Sequence, residues 1–138
     1  MFRLTTDLKS IFSKKVAGYK ETKKMKLINE NSFSNYDILI VPPWDIKKIQ
    51  NNLIDNFYNS NSFQEMQKNT VSGYCDELGR IVKNKIVLLE QRGGHGAIND
   101  PVTRNDYINY MKSNGFELVE EKLDSYLKQD FHFFQKAI

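Results

Sequence analysis

Apolar positions along this chain fall into blocks whose spacing switches between a helical and a strand period. Leu4, Leu8, Ile11, Phe12 and Val16 recur at helical spacing, which predicts an amphipathic helix over roughly 6–18, ending near Gly18. KMKLINE (24–30) reads as a short strand and YDILIV (36–41) as a stronger one. The second is closed by Pro42-Pro43, which cannot extend a sheet ladder. Trp44 follows as a core residue or part of a rigid turn, the alternative being a stacking platform for a ligand ring, with a helical turn expected over 45–51. LIDNFYNS (53–60) then predicts a strand buried on both faces of a parallel sheet.

The longest helical stripe comes next. Phe63, Met66, Thr70, Tyr74, Leu78, Ile81 and Val82 fall at steps that predict a helix over 63–82, with Val71 and Cys75 widening its apolar face. NKIVLLEQ (84–91) is a further strand, and RGGHGAINDP (92–101) a glycine-rich loop. Thr103 is placed to N-cap a helix containing Tyr107, Ile108 and Met111, and Gly115 to end it in the left-handed region. FELVEEKL (116–123) and DFHFFQKA (130–137) read as an antiparallel strand pair. The order predicts one α/β domain, a mostly parallel sheet flanked by helices with an antiparallel pair at its end.

Composition sharpens this only at a few points. The 138 residues are 40% hydrophobic, the balance of a soluble globular chain. No apolar run approaches the ~20 residues of a membrane span, and the N-terminal stretch lacks a signal-peptide core, so a cytoplasmic protein is expected. The single cysteine, Cys75, excludes an intramolecular disulfide and is expected to be a buried, inert thiol. With only His95 and His132 as histidines, no histidine-based metal centre is expected. Residues 1–26 carry eight Lys/Arg against two Asp/Glu, the remainder twelve against fifteen. That basic end lacks interleaved aromatics or a recognition motif, so it reads as a solvated helix face and not as a nucleic-acid site.

Candidate chemistry gathers at two predicted strand ends, where open α/β sheets bind their ligands. After the 53–60 strand stands NSNSFQEM (59–66). Ser62 and Glu65 have the spacing of a helix capping box, and the same helix start would face a pocket. Asn59 and Asn61 suit a turn, since Asn tolerates left-handed backbone; their amides equally suit orienting a hydroxyl. After the 84–91 strand stands RGGHG, whose His95 is either a general base or a loop residue. Glu90, Gln91 and Asp100 flank it, where carboxylates with His95 would suit magnesium or manganese, though the pattern is a weak one. His132, between Phe131 and Phe133, reads as structural.

The ending NGFELVEEKL and DFHFFQKA resembles the last two strands of a Rossmann-like S-adenosylmethionine-dependent methyltransferase, in which an antiparallel final strand inserts beside the fifth. More specifically, DILIVPPW followed by FYNSNSFQEMQKNTVSGYCDEL resembles the sugar O-methyltransferases found with bacterial polysaccharide genes. The phrase shared with that family is Asn59, Ser62, Phe63, Glu65 and Met66. The resemblance covers roughly residues 30–138. It implies methyl transfer from S-adenosylmethionine to a hydroxyl of a sugar, nucleotide-sugar or polysaccharide substrate. His95 and Glu65 would be catalytic, and Asn59, Asn61, Ser62 and Gln91 would contact the substrate.

One departure limits the resemblance. Such a fold begins with a strand ending in an acidic, glycine-rich loop for the cofactor, and no Glu-x-Gly-x-Gly pattern occurs in this sequence. The chain therefore looks like the C-terminal half of the fold, lacking its first strands, and is not expected to bind S-adenosylmethionine alone. A complementing half or a homo-oligomer is the implied partner, and nucleic acid and membrane are not. The alternative is a non-catalytic or decayed domain that pairs with a partner through an open sheet edge. With the first strands absent, YDILIV is expected to pair directly beside LIDNFY.

Overall fold

A computed structural model describes residues 15–91, 100–126 and 128–137. Most of the helix expected over 6–18 lies outside the described residues. The chain gathers into two compact units, 1–53 and 54–138.

The first unit is built from very short elements: β1 (Val16–Ala17), helix α1 (Tyr19–Thr22), β2 (Ile38–Leu39), and 3-10 turns at Glu30–Phe33 and Pro43–Lys48. Val16 and Ala17 are thus strand rather than helix. They run parallel to β2, pairing Val16 with Ile38 and Ala17 with Leu39. YDILIV therefore keeps two strand residues and takes its partner from upstream, not from residues 53–58 as expected. Thr22, almost fully buried, shows why the ladder is short. Its hydroxyl sits 2.8 Å from the Ile40 carbonyl and 3.2 Å from that of Gly18, so a side chain takes over where backbone pairing stops. KMKLINE forms no strand. Lys23 and Lys24 complete the α1 turn, and only Ile28 bridges, in parallel, to Ile49. Trp44 is not core: it is 67% exposed and meets Tyr19 edge-on at 6.3 Å. The turn expected after it is present.

The second unit carries the sheet. It contains β3 (Ile54–Ser60), α2 (Lys68–Ile81), β4 (Val82–Gln91), α3 (Arg104–Ser113), β5 (Phe116–Asp124) and β6 (Gln129–Lys136). The strands lie in the order β3-β4-β6-β5. β3 is parallel to β4, and β6 runs antiparallel to both β4 and β5. The α/β class, the strand–helix alternation and the antiparallel insertion all agree with the sequence. β3 differs in one respect: it ends its sheet, and Asp55, Asn56, Tyr58 and Ser60 are exposed instead of buried on both faces.

Alternation explains where the core sits. Ile86 and Leu88 of β4 stand opposite Phe134 and His132 of β6 on one face. Tyr107 of α3 lies against His132, and Phe57 stacks on Phe63, which stacks on Tyr74 of α2. Both helices thus cover this face, burying Val71, Cys75, Leu78, Tyr107 and Met111. Cys75 is fully buried, and its desolvated thiol is pushed up to about 12, an inert group as expected. Thr103 caps α3 in a two-way box with Asp106, and Gly115 follows the helix at a φ of 80°. α2 begins at Lys68 rather than at 63, because Met66 and Gln67 are extended.

Candidate functional site

The carboxyl end of β3 is a turn organised by Asn59. Its side-chain oxygen accepts from the Phe63 backbone N–H at 3.3 Å, and its amide nitrogen donates to the Ser62 hydroxyl at 2.5 Å. Asn61 adopts a φ of 57°, the left-handed region that Asn tolerates better than other non-glycine residues. Its N–H continues the ladder to the Leu89 carbonyl at 2.9 Å. The capping box expected of Ser62 and Glu65 does not form. Ser62 precedes a single 3-10 turn, Phe63–Glu65, and makes no side-chain cap. Glu65 is exposed and takes a hydrogen bond from its neighbour Gln64. Asn59 therefore closes the turn that Ser62 was expected to cap.

The neighbouring strand ends in a different chemistry. Glu90, one residue before the end of β4, places Oε2 3.0 Å from Nε2 of His132 on β6. The other ring nitrogen, Nδ1, lies 2.8 Å from Oε1 of Glu121 on β5. Glu121 in turn takes both arms of the Arg104 guanidinium, at 2.7 and 2.5 Å, from the first turn of α3. A histidine between two carboxylates can satisfy both only by donating from both nitrogens, as an imidazolium. Burial alone would lower its pKa; the bonds to Glu90 and Glu121, with their charges, outweigh this and raise it. Arg104, and to a smaller degree His132, holds the Glu121 carboxyl down at about 2. The alternating charges Arg104, Glu121, His132, Glu90 thus tie together one helix and three strands.

Tyr107 borders the same cluster. Its ring centroid is 6.4 Å from that of His132, and its buried hydroxyl faces the Glu90 carboxylate. Burial, followed by the Glu90 charge, raises its pKa. His132 is structural as expected, but through these two carboxylates and not through its aromatic neighbours. Glu121 and Arg104 were not singled out from sequence, and Tyr107 only as a position of its helix. They are separated from Glu90 by 14 to 31 residues, so no local motif joins them. The structure brings Asn59, Asn61, Ser62 and Glu65 into one turn on the strand beside Glu90. His95 and the side chain of Gln91 lie outside what is described. Among the described residues no group of His, Cys, Asp and Glu is arranged to hold a metal, and no helix is long and apolar enough to cross a membrane.

No protein-family model and no curated protein matches the chain. Solved structures do match its fold. A candidate type 11 methyltransferase from Sulfolobus solfataricus superposes with a TM-score of 0.55 at 18% identity, covering 79% of this chain and 64% of that one. The magnesium protoporphyrin IX methyltransferase of Synechocystis, with S-adenosylhomocysteine bound, gives 0.56 at 11% identity over 78% of this chain and 55% of that one. The same enzyme with S-adenosylmethionine gives 0.56 at 10% identity over 86% and 53%. This chain thus spans between about half and two-thirds of the length of these structures, and it has the Rossmann-like methyltransferase fold over that part.

Proposed function

We propose that the chain supplies the acceptor side of an S-adenosylmethionine-dependent O-methyltransferase acting in the cytoplasm on a sugar hydroxyl of bacterial polysaccharide biosynthesis. The fold, with its strand order β3-β4-β6-β5 and β6 antiparallel, is the observation that carries this reading, because the chain superposes on methyltransferase structures that hold S-adenosylmethionine or its product. The sugar acceptor rests on the NSNSFQEM phrase. In this reading Asn59, Asn61, Ser62 and Gln91 border the acceptor, Glu65 lies at the rim, and His95 accepts the hydroxyl proton as the oxygen attacks the methyl group.

The residues present do not fit the cofactor's own site. The strand end that would hold its amino acid moiety needs an acidic glycine-rich turn, and this sequence carries no Glu-x-Gly-x-Gly pattern. In this reading S-adenosylmethionine is bound by a complementing half, paired along the outer edge of β3.

Calorimetry with S-adenosylmethionine should show no binding to this chain alone. Radiolabelled methyl should pass to a nucleotide-sugar panel once a polypeptide carrying the glycine-rich strands is added. His95→Ala should then reduce transfer by about 100-fold or more. Micromolar cofactor binding by the chain alone would overturn the split site. Absence of transfer in the reconstituted pair would favour a non-catalytic, partner-binding domain.

A further inference from the structure

The two faces of the four-stranded sheet are finished differently. Both helices of the second unit lie on one face, where Ile86, Leu88, Phe116, His132 and Phe134 are at most 2% exposed. Side chains alternate along a strand, so the residues between these form the other face. There Leu89 alone of the apolar positions on β4 and β6 is buried. Val87, Phe131 and Phe133 are half-buried, and Tyr58 on β3 is 58% exposed. Open cavities of about 530 and 520 Å³ lie at the two ends of this face, one against Lys85 and Gln135, the other against Phe131 and Phe133.

The apolar part of the face has the footprint of one helix. Val87 and Leu89 on β4 stand opposite Phe133 and Phe131 on β6, two neighbouring strands at the centre of the sheet. Such strands lie about 5 Å apart and fit beneath the ~10 Å width of a helix. The outer strands turn polar. β3 sets Tyr58 between Asn56 and Ser60, and β5 brings Glu117, Glu120 and Lys122 beside Val119. The Lys122 ammonium lies 5.4 Å over the Phe133 ring and marks that border. A second copy packed sheet to sheet would seal these charges into a shared core, at a large desolvation cost. Lys85 and Lys122 are balanced by Glu117 and Glu120, so the face has no net charge to attract a phosphate backbone. Parallel strands such as β3 and β4 occur in sheets covered on both faces, and this chain spans only part of the structures on which it superposes. We propose that an amphipathic helix of the complementing half docks here, its apolar stripe seated on Val87, Leu89, Phe131 and Phe133. The source of the helix rests on the methyl-transfer reading; the footprint does not.

Cys75 is fully buried, so in the full chain a maleimide reaches only a thiol introduced by Val87→Cys or Phe133→Cys. Either thiol should label readily in the chain alone, and about tenfold or more slowly once the polypeptide carrying the glycine-rich strands is bound. Tyr126→Cys, at a position 92% exposed, should label equally in both states. A benzophenone attached at Val87→Cys should cross-link to partner residues spaced by about three or four, the period of one helix face. Phe133→Glu should weaken the pairing about tenfold or more while Phe133→Leu preserves it, with amide spectra showing that both remain folded. Slow labelling of the chain alone, cross-links to alternate residues of a strand or to a second copy of this chain, or no pairing at all would overturn the docking site. Should the thiols be protected while the pair transfers no methyl group, the site stands and the methyl-transfer reading falls. If transfer proceeds with the thiols still open to maleimide, the reading stands and the site falls.

Discussion

β3 and β4 run side by side in the same direction, and their carboxyl ends are built by opposite means. β3 finishes in a neutral turn in which one asparagine satisfies its neighbours within four residues. β4 finishes in a lattice of alternating charges whose members come from four elements, with Glu90 and His132 separated by 42 positions. A local turn stabilises itself and leaves its strand free at the outer edge. The ionic lattice instead makes the end of β4 depend on β5, β6 and α3 being in place.

The largest effect expected of this contrast comes from His132→Leu. It leaves the Glu90 and Glu121 carboxylates facing each other without the cation between them, a loss of about 3 kcal/mol in urea denaturation at pH 6. Asn59→Ala removes two partly exposed hydrogen bonds and should cost about 1 kcal/mol. Equal costs would break the distinction.

Acid and base should separate the two ends next. His132 has a folded pKa raised above its ordinary 6.5. Its stabilisation is therefore complete below 6.5 and lost as pH rises through the folded value. Glu121, lowered from 4.5 to about 2, stabilises above 4.5 and loses that contribution as pH falls toward 2. Denaturation midpoints measured across pH should fall in both windows for the native chain and for Asn59→Ala. In His132→Gln the alkaline fall should disappear.

Smaller changes sharpen the turn itself. Asn61→Ala forces an alanine into left-handed backbone and should cost about 1 kcal/mol, whereas Asn61→Gly should stay within about 0.5 kcal/mol. Ser62→Ala should cost less than about 0.5 kcal/mol by thermal melting, because Ser62 caps no helix and is exposed. A loss of a full kcal/mol there would restore the capping box that the geometry denies.

The same contrast explains what the sequence could reveal. β4, α3, β5 and β6 are legible within a few residues, because period and punctuation are local: Thr103 and Gly115 each act on adjacent backbone. Asn61 as a left-handed residue is legible for the same reason. Ser62 misleads because its spacing to Glu65 is right while the two extended residues Met66 and Gln67 delay the helix. YDILIV misleads because an apolar run does not state its partner, and Val16–Ala17 supplies one from within a helical pattern. The lattice at β4 is invisible for a further reason. Its pairings follow from β6 crossing between β4 and β5, and no spacing rule reaches from residue 90 to residue 132.

That crossing also has a kinetic consequence. β5 and β6 can form as a hairpin early, since Asp124 at the end of one already pairs with Gln129 at the start of the other. β4 cannot gain its second neighbour until this hairpin closes the loop formed by residues 92–115, and closure entropy is lost before any ladder bond repays it. The rate-limiting event in folding this unit is then the docking of β6 on β4. The burial of His132 between its carboxylates belongs to the far side of that barrier.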